Sequence, residues 1–213
     1  MPASDRLGVS GACLIGAAAL FWISWELMPG VGVTAAAQIL ALVGPRRGFV
    51  AASAAVQVIS AVLYVPALLG IVASSLGARA AVRWGAGLLL VGAMGSAADA
   101  VFHLLAYAMT EPALDEPTLV TVMKFMQGPA LLMFAPLILA FFVGGVWLSI
   151  ALAREAVVPR WHPWIYLAAP LVIAVGVALV RAGAIPPRLV GLTVLAVFSA
   201  AQIQIGAALT RSG

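Results

Sequence analysis

Charge is what this chain has least of. Of its 213 residues, 8% are charged, from 11 Lys and Arg and 7 Asp and Glu. An average soluble protein carries about 25%. The net charge of +4 is scattered, with no basic run longer than Arg46-Arg47. That excludes the dense cationic stripe a nucleic-acid-binding surface needs, so no nucleic acid partner is expected. Intrinsic disorder is excluded as well, since it requires low hydrophobicity and high charge. The single cysteine, Cys13, rules out a disulfide framework within one chain. Only two histidines occur, His103 and His162. His162 falls in a loop beside Pro163, so a bis-histidine haem lacks its second ligand at membrane depth. Close His/Cys spacing for a metal cluster is missing too. No Gly-rich phosphate loop and no G-x-S-x-G elbow is present. No cofactor and no metal are therefore expected.

What the chain has instead is apolar surface. Hydrophobic residues make up 64% before its 21 glycines are counted, against about 45–50% with glycine included in a soluble domain. The mean hydropathy is +1.15. A fold of this length cannot hide that much apolar surface from water. Six apolar runs are read as spans: Gly8 to Met28, Phe49 to Leu76, Ala80 to Met109, Leu119 to Ala153, Trp164 to Val180 and Leu189 to Leu209. Each crosses, or nearly crosses, a core of about 30 Å at about 1.5 Å per residue. Lipid satisfies no backbone group, so the runs must be helices, and the alternation of a membrane barrel is missing. The first run is too long for a signal peptide and contains Glu26, so it reads as a retained helix. Between the first two spans, Val33 to Val43 is too short to cross and reads as an interfacial or re-entrant helix. The fold class is all-α. The expectation is a polytopic membrane bundle of six transmembrane helices, one integral membrane domain over residues 1–213.

Small residues in the third span (Gly85, Gly87, Gly92, Gly95, Ser96) and in the fourth (Gly144, Gly145) predict close helix contacts. Pro66, Pro129, Pro136 and Pro170 predict kinks or freed carbonyls. Six spans put both termini on one side. That side holds Arg6, Arg79, Arg83, Arg154, Arg160 and Arg211, and the other Arg46, Arg47, Arg181 and Arg188 with the acidic loop Glu111, Asp115 and Glu116. The positive-inside rule then places the termini in the cytoplasm of a bacterial-type cell, with the chain in the inner membrane. The expected partners are the lipid bilayer and a hydrophobic small molecule, and a homodimer is open.

The scarce polar residues inside the spans carry the functional information. An ionisable group in lipid persists where it is paired or faces a cavity. Asp99 and His103 are spaced i, i+4 and share one helix face, with Tyr107 one turn further on. A carboxylate beside an imidazole can donate and accept protons near neutral pH. Glu26, Lys124 and Gln127 fall in the same half of the membrane, as does Gln57, with Tyr64 deeper. Asp99, His103 and Glu26 are the candidate catalytic residues. Lys124, Gln127, Tyr107, Gln57, Tyr64, Trp25 and Trp22 are the candidate substrate-binding residues. Glu26 and Lys124, near helix ends, could instead snorkel to the interface. Gln202 and Gln204 read as interhelical hydrogen-bonding residues. Three function classes are open. The leading one is an intramembrane enzyme doing acid–base chemistry (isomerase, lyase or cyclase type) on a lipid-soluble substrate of isoprenoid or terpenoid kind. The others are a small proton-coupled transporter or channel, and a non-catalytic lipid-binding membrane subunit.

Overall fold

The computed structural model describes residues 3–110 and 115–212. Glu111, of the acidic loop, lies outside them. Every regular element among the described residues is helical. The long helices are α1 (Ala3–Leu27), α3 (Arg47–Val72), α4 (Ala80–Ala108), α6 (Leu131–Arg154), α7 (Pro163–Arg181) and α8 (Pro187–Ser212), and two short ones, α2 (Ala36–Val43) and α5 (Glu116–Phe125), precede α3 and α6. Among the described residues, six helical segments are long and apolar enough to cross a membrane. Most of their ends fall within a few residues of those read from the apolar runs, but the second segment begins at Ala36, well before the expected Phe49, since α2 and the turn after it run into α3 without a break.

The segment between the first two spans forms a helix, α2, but not a free-standing one. A 3₁₀ turn, Gly44–Arg46, leads from it straight into α3. Arg46 leaves helical geometry at φ −121° and ψ 23°, and the chain bends there. Ala36, Ile39 and Val43, on one stripe of α2, are buried. The helix packs on α4 and α5.

α1 packs on α3 and α8, α3 on α4, α4 on α6, and α8 on α7, while α6 barely meets α7 and α8. Both termini lie at one end, where Gly11 of α1 meets Gly206 of α8. At the other end the Gly30 to Val33 loop meets the start of α8 at Pro187. The α4–α6 seam depends on glycine. A Cβ at Gly92 would stand 2.2 Å from the Phe141 Cα, and one at Gly144 would stand 2.3 Å from the Leu89 nitrogen. The partners run in opposite directions along the two helices, which makes them antiparallel neighbours at backbone contact. Gly87, on the outer side of α4, meets nothing.

The prolines divide. Pro66, Pro136 and Pro170 sit within continuous α-helix. Pro129 sits in a π turn, Met126–Ala130, that joins α5 to α6. The missing N–H of Pro129 loosens the i→i−4 ladder there, and an extra residue enters the turn. At the start of α5, the Asp115 carboxylate accepts from the Thr118 amide at 3.0 Å. That bond holds Asp115 below the usual carboxylate range.

At the far end of α6 the chain reverses through a Schellman cap. Val157 N–H donates to Leu152 O at 3.0 Å and Ala156 N–H to Ala153 O at 3.3 Å. The residue that must turn left-handed is Ala156, at φ 56°. A Cβ there costs about 1–2 kcal/mol. Ala156→Gly is expected to stabilise the protein by about 1 kcal/mol, net of the added chain freedom in the unfolded state. Thermal denaturation in detergent, followed by circular dichroism, checks this; an unchanged or lower Tm would contradict it.

Candidate functional site

One face of α3 carries Ser53, Gln57, Ser60 and Tyr64, spaced i, i+4, i+7 and i+11, and all are buried. Each reaches a neighbouring helix. Ser60 Oγ donates to Ala17 O of α1 at 2.7 Å. Ser53 Oγ donates to Ser24 O of α1 at 2.6 Å. Gln57 Nε2 donates to Asp99 Oδ2 of α4 at 2.8 Å and lies 3.4 Å from Ser96 Oγ. The Tyr64 hydroxyl donates to Gln202 Oε1 of α8.

These bonds fix the state of His103. The single hydroxyl proton of Ser53 goes to a carbonyl, which can only accept, so the Ser53 oxygen is left to accept in turn. His103 Nδ1 lies 2.9 Å from it and must carry the proton. The lone pair of Nε2 then faces Asp99 Oδ2 at 3.7 Å. Two acceptors face one another unless one proton stands between them, on the carboxyl or on the ring. The pair is therefore placed to hold one proton. The Trp25 and His103 rings stand perpendicular to each other, at 5.2 Å between centroids and 89° between planes.

Asp99 stands where two chambers meet. The outer one, about 500 Å³, is bounded by Trp25, Asp99, His103 and Gln127, by the loop from Met28 to Thr34, and by Ile39 of α2. Met28, Met123 and Met126 supply adaptable apolar walls. The inner one, about 250 Å³, is bounded by Gln57, Ser96 and Asp99 on one side and by Phe21, Phe141 and Phe142 on another. Trp25, Asp99, Leu131 and Leu195 border both. Leu131 of α6 and Leu195 of α8 thus flank the cavity where these helices barely meet. Two polar atoms of its wall residues, Trp25 Nε1 and Gln57 Oε1, are buried with no partner among the described residues. Buried polar groups are seldom left so.

The structure brings together Asp99, His103, Gln57, Trp25 and Gln127. The other sequence candidates lie elsewhere. Glu26 is turned away from the cavity, 3.5 Å from Arg188. It borders a separate groove with Trp22, whose Nε1 donates to Leu192 O at 3.3 Å. Arg188 also donates to the backbone carbonyls of Glu26 and Met28, so the pair ties α1 to α8. Lys124 is exposed on α5. Tyr107 lies beneath the Arg47 guanidinium, 4.6 Å from its ring centroid. Tyr64 is sealed in the core against Gln202 and stacks edge-on against Phe141 at 5.7 Å. Gln204 is exposed.

Three contributors escape the sequence reading. Ser53 and Ser96 are small and common in apolar helices, yet their spacing from Gln57 and Asp99 is a usable signal. The wall made by Met28 to Thr34 carries no signal, being a loop of ordinary composition. His162 is not loop-exposed. It is fully buried at the start of α7, where Nε2 donates to Ala201 O at 3.0 Å and Nδ1 accepts from Ser149 Oγ at 2.6 Å. Among the described residues no three His, Cys, Asp or Glu side chains converge as a metal site would require. Comparison with protein-family models, curated proteins and solved structures finds no match to this chain.

Proposed function

We propose that the chain is a multi-pass membrane protein whose cavity holds a lipid-soluble molecule, and that the Asp99–His103 pair exchanges a proton with it. The observation that carries this reading is the position of the pair. A pair placed to hold one proton opens on two chambers whose other walls are almost entirely apolar. Their volumes are of the order of small-molecule pockets, about 300–1,000 Å³. An elongated hydrocarbon such as an isoprenoid suits such walls, and the aromatic rings of Phe21, Phe141 and Phe142 would favour a developing cation. The chemistry is an acid–base isomerisation, elimination or cyclisation. His103 and Asp99 hold or move the proton, Ser53 fixes the ring, and Gln57 fixes the carboxylate. No cofactor enters.

Transport is the weaker reading. Below the inner chamber Phe21 and Phe141 stack at 5.0 Å, and the Tyr64–Gln202 bond lies beyond them. This floor favours a closed site over a path through the bundle. In the membrane, α2 and the Met28 to Thr34 loop would lie at the interface over the cavity mouth. The six cations on the side of the termini favour a cytoplasmic location for that side, in the inner membrane of a bacterial-type cell. The cavity would then open toward the outer leaflet.

The test is mass spectrometry of small molecules that co-purify with the protein after incubation in deuterated water. The wild type is expected to retain an apolar species and to place deuterium on it. Asp99→Asn is expected to retain the species and lose the exchange at least about a hundredfold, the contribution of a positioned acid–base group. No retained species, or exchange untouched by Asp99→Asn, would overturn the reading.

A further inference from the structure

The end of the bundle away from the cavity carries a second feature, on the turn between α6 and α7. Arg154 is the last residue of α6, and Arg160 lies three residues before α7 begins. The Schellman reversal at Ala156 folds the chain back. Both arginines then border one groove of about 380 Å³, together with Ile150, Ala153 and Pro163. The acid within this turn, Glu155, is engaged by Arg79 at 3.2 Å. Two other cations at this end, Arg83 and Arg211, are engaged. Arg83 donates to Gly77 O at 2.8 Å and to Ala78 O at 3.1 Å, and Arg211 donates to Ala207 O at 3.1 Å. Arg154 and Arg160 have no such partner among the described residues. Two positive charges thus border one groove, and the nearest acid is spoken for.

The groove has a second character. Its remaining walls, Ile150, Ala153 and Pro163, are apolar. Beside it Trp161 and Trp164 stand 57% and 68% exposed, as indoles do at the level of lipid headgroups. A free anion needs no apolar wall, and a nucleic acid needs more than two cations. An amphiphile with an anionic head meets both conditions.

We propose that this groove binds the phosphodiester headgroup of an anionic phospholipid in the leaflet on the side of the termini. Guanidinium forks match phosphate oxygens in bidentate fashion, which an ammonium cannot do. The acyl chains would run along Ile150 and Ala153. The site is independent of the chemistry at Asp99 and needs only that the bundle span a bilayer.

Native mass spectrometry of protein released from detergent micelles tests it. The micelles carry either dioleoylphosphatidylglycerol or dioleoylphosphatidylcholine. The wild type is expected to retain the anionic lipid about thirtyfold over the zwitterionic one, since two near-surface arginines at about 1 kcal/mol each amount to that ratio. The double variant Arg154→Gln/Arg160→Gln is expected to lose that preference. Arg46→Gln, exposed at the opposite end, is expected to keep it. Equal retention of the two lipids by the wild type, or an undiminished preference in the double variant, would overturn the proposal. Inorganic phosphate is the remaining arm. If it displaces the anionic lipid at equal concentration, the groove is a site for the free anion and the proposal fails. Should the double variant not fold, the wild-type comparison and the phosphate arm still decide.

Discussion

Gly92→Leu is expected to yield no monodisperse protein on size exclusion after detergent extraction, whereas Gly87→Leu is expected to behave as wild type. The difference lies in what the new side chain meets. At Gly92 the first added carbon would stand 2.2 Å from the Phe141 Cα and 2.3 Å from its nitrogen. Those are backbone atoms, so no rotamer change relieves the clash and the two helices must separate. Overpacking a well-packed contact costs about 1–3 kcal/mol even where side chains can yield, and here they cannot. The seam runs on through Gly85 and Gly144, so separation at one point unseats the others. It also carries α4, and with it Asp99 and His103, away from α6. Gly87 has nothing within reach of an added Cβ. Equal extraction and equal melting of the two variants would show that α4 and α6 do not meet at Gly92.

At Asp99 the expected result is a split between two substitutions. Asp99 Oδ2 faces both Gln57 Nε2 and His103 Nε2, so Asp99→Asn keeps one of the two contacts, through its oxygen to Gln57 or its amide to His103, and loses the other. Its stability is expected to stay within about 1 kcal/mol of wild type, the size of one ordinary hydrogen bond. Asp99→Leu leaves His103 Nε2 without its partner and Gln57 Nε2 with only the long contact to Ser96 Oγ. Each buried group so deprived costs about 1–3 kcal/mol, and the sum is a large part of a normal folding stability of about 5–15 kcal/mol. Adding His103→Leu to Asp99→Leu removes one orphan. The double variant is expected to be destabilised by less than the two single changes together, with a coupling of about 0.5–3 kcal/mol. Chemical or thermal denaturation of the four proteins in one detergent measures the cycle. Simple additivity would mean that the two side chains do not act as a pair.

The helices were legible in the sequence because lipid-length apolar runs and their Gly and Pro boundaries leave little choice. The Asp99–His103 pair was legible for a related reason. An i, i+4 spacing fixes two side chains on one face whatever surrounds them. Which way a given helix turns was not legible. Spans this apolar are apolar on every side, so no periodicity tells the inner face from the outer. Trp25 and Glu26 are neighbours in the chain, about 100° apart around α1 at 3.6 residues per turn. Trp25 faces His103, and Glu26 faces Arg188, 162 residues away. Nothing local announces that partner. Lys124 was grouped with the cavity by depth alone, and depth carries no azimuth; Tyr107 was grouped by its spacing on the Asp99 face, yet one turn further along α4 it meets Arg47 instead. His162 was judged by its place between two helices, where the burial that matters comes from α6 and α8.

The floor of Phe21, Phe141 and the Tyr64–Gln202 bond has a consequence for how stability is spread along the molecule. On the termini side of it the helices are filled with side chains, and Leu148, Leu152, Ile205 and Leu209 are wholly buried. On the other side they surround space, closed over by a loop, a two-turn helix and a π turn. Free energy of local opening follows the density of buried apolar contact, so it is graded along the bundle axis, high at one end and low at the other. The hollow end can breathe on its own while the filled end stays shut. A molecule could therefore enter or leave between α6 and α8 without the helices ever coming apart.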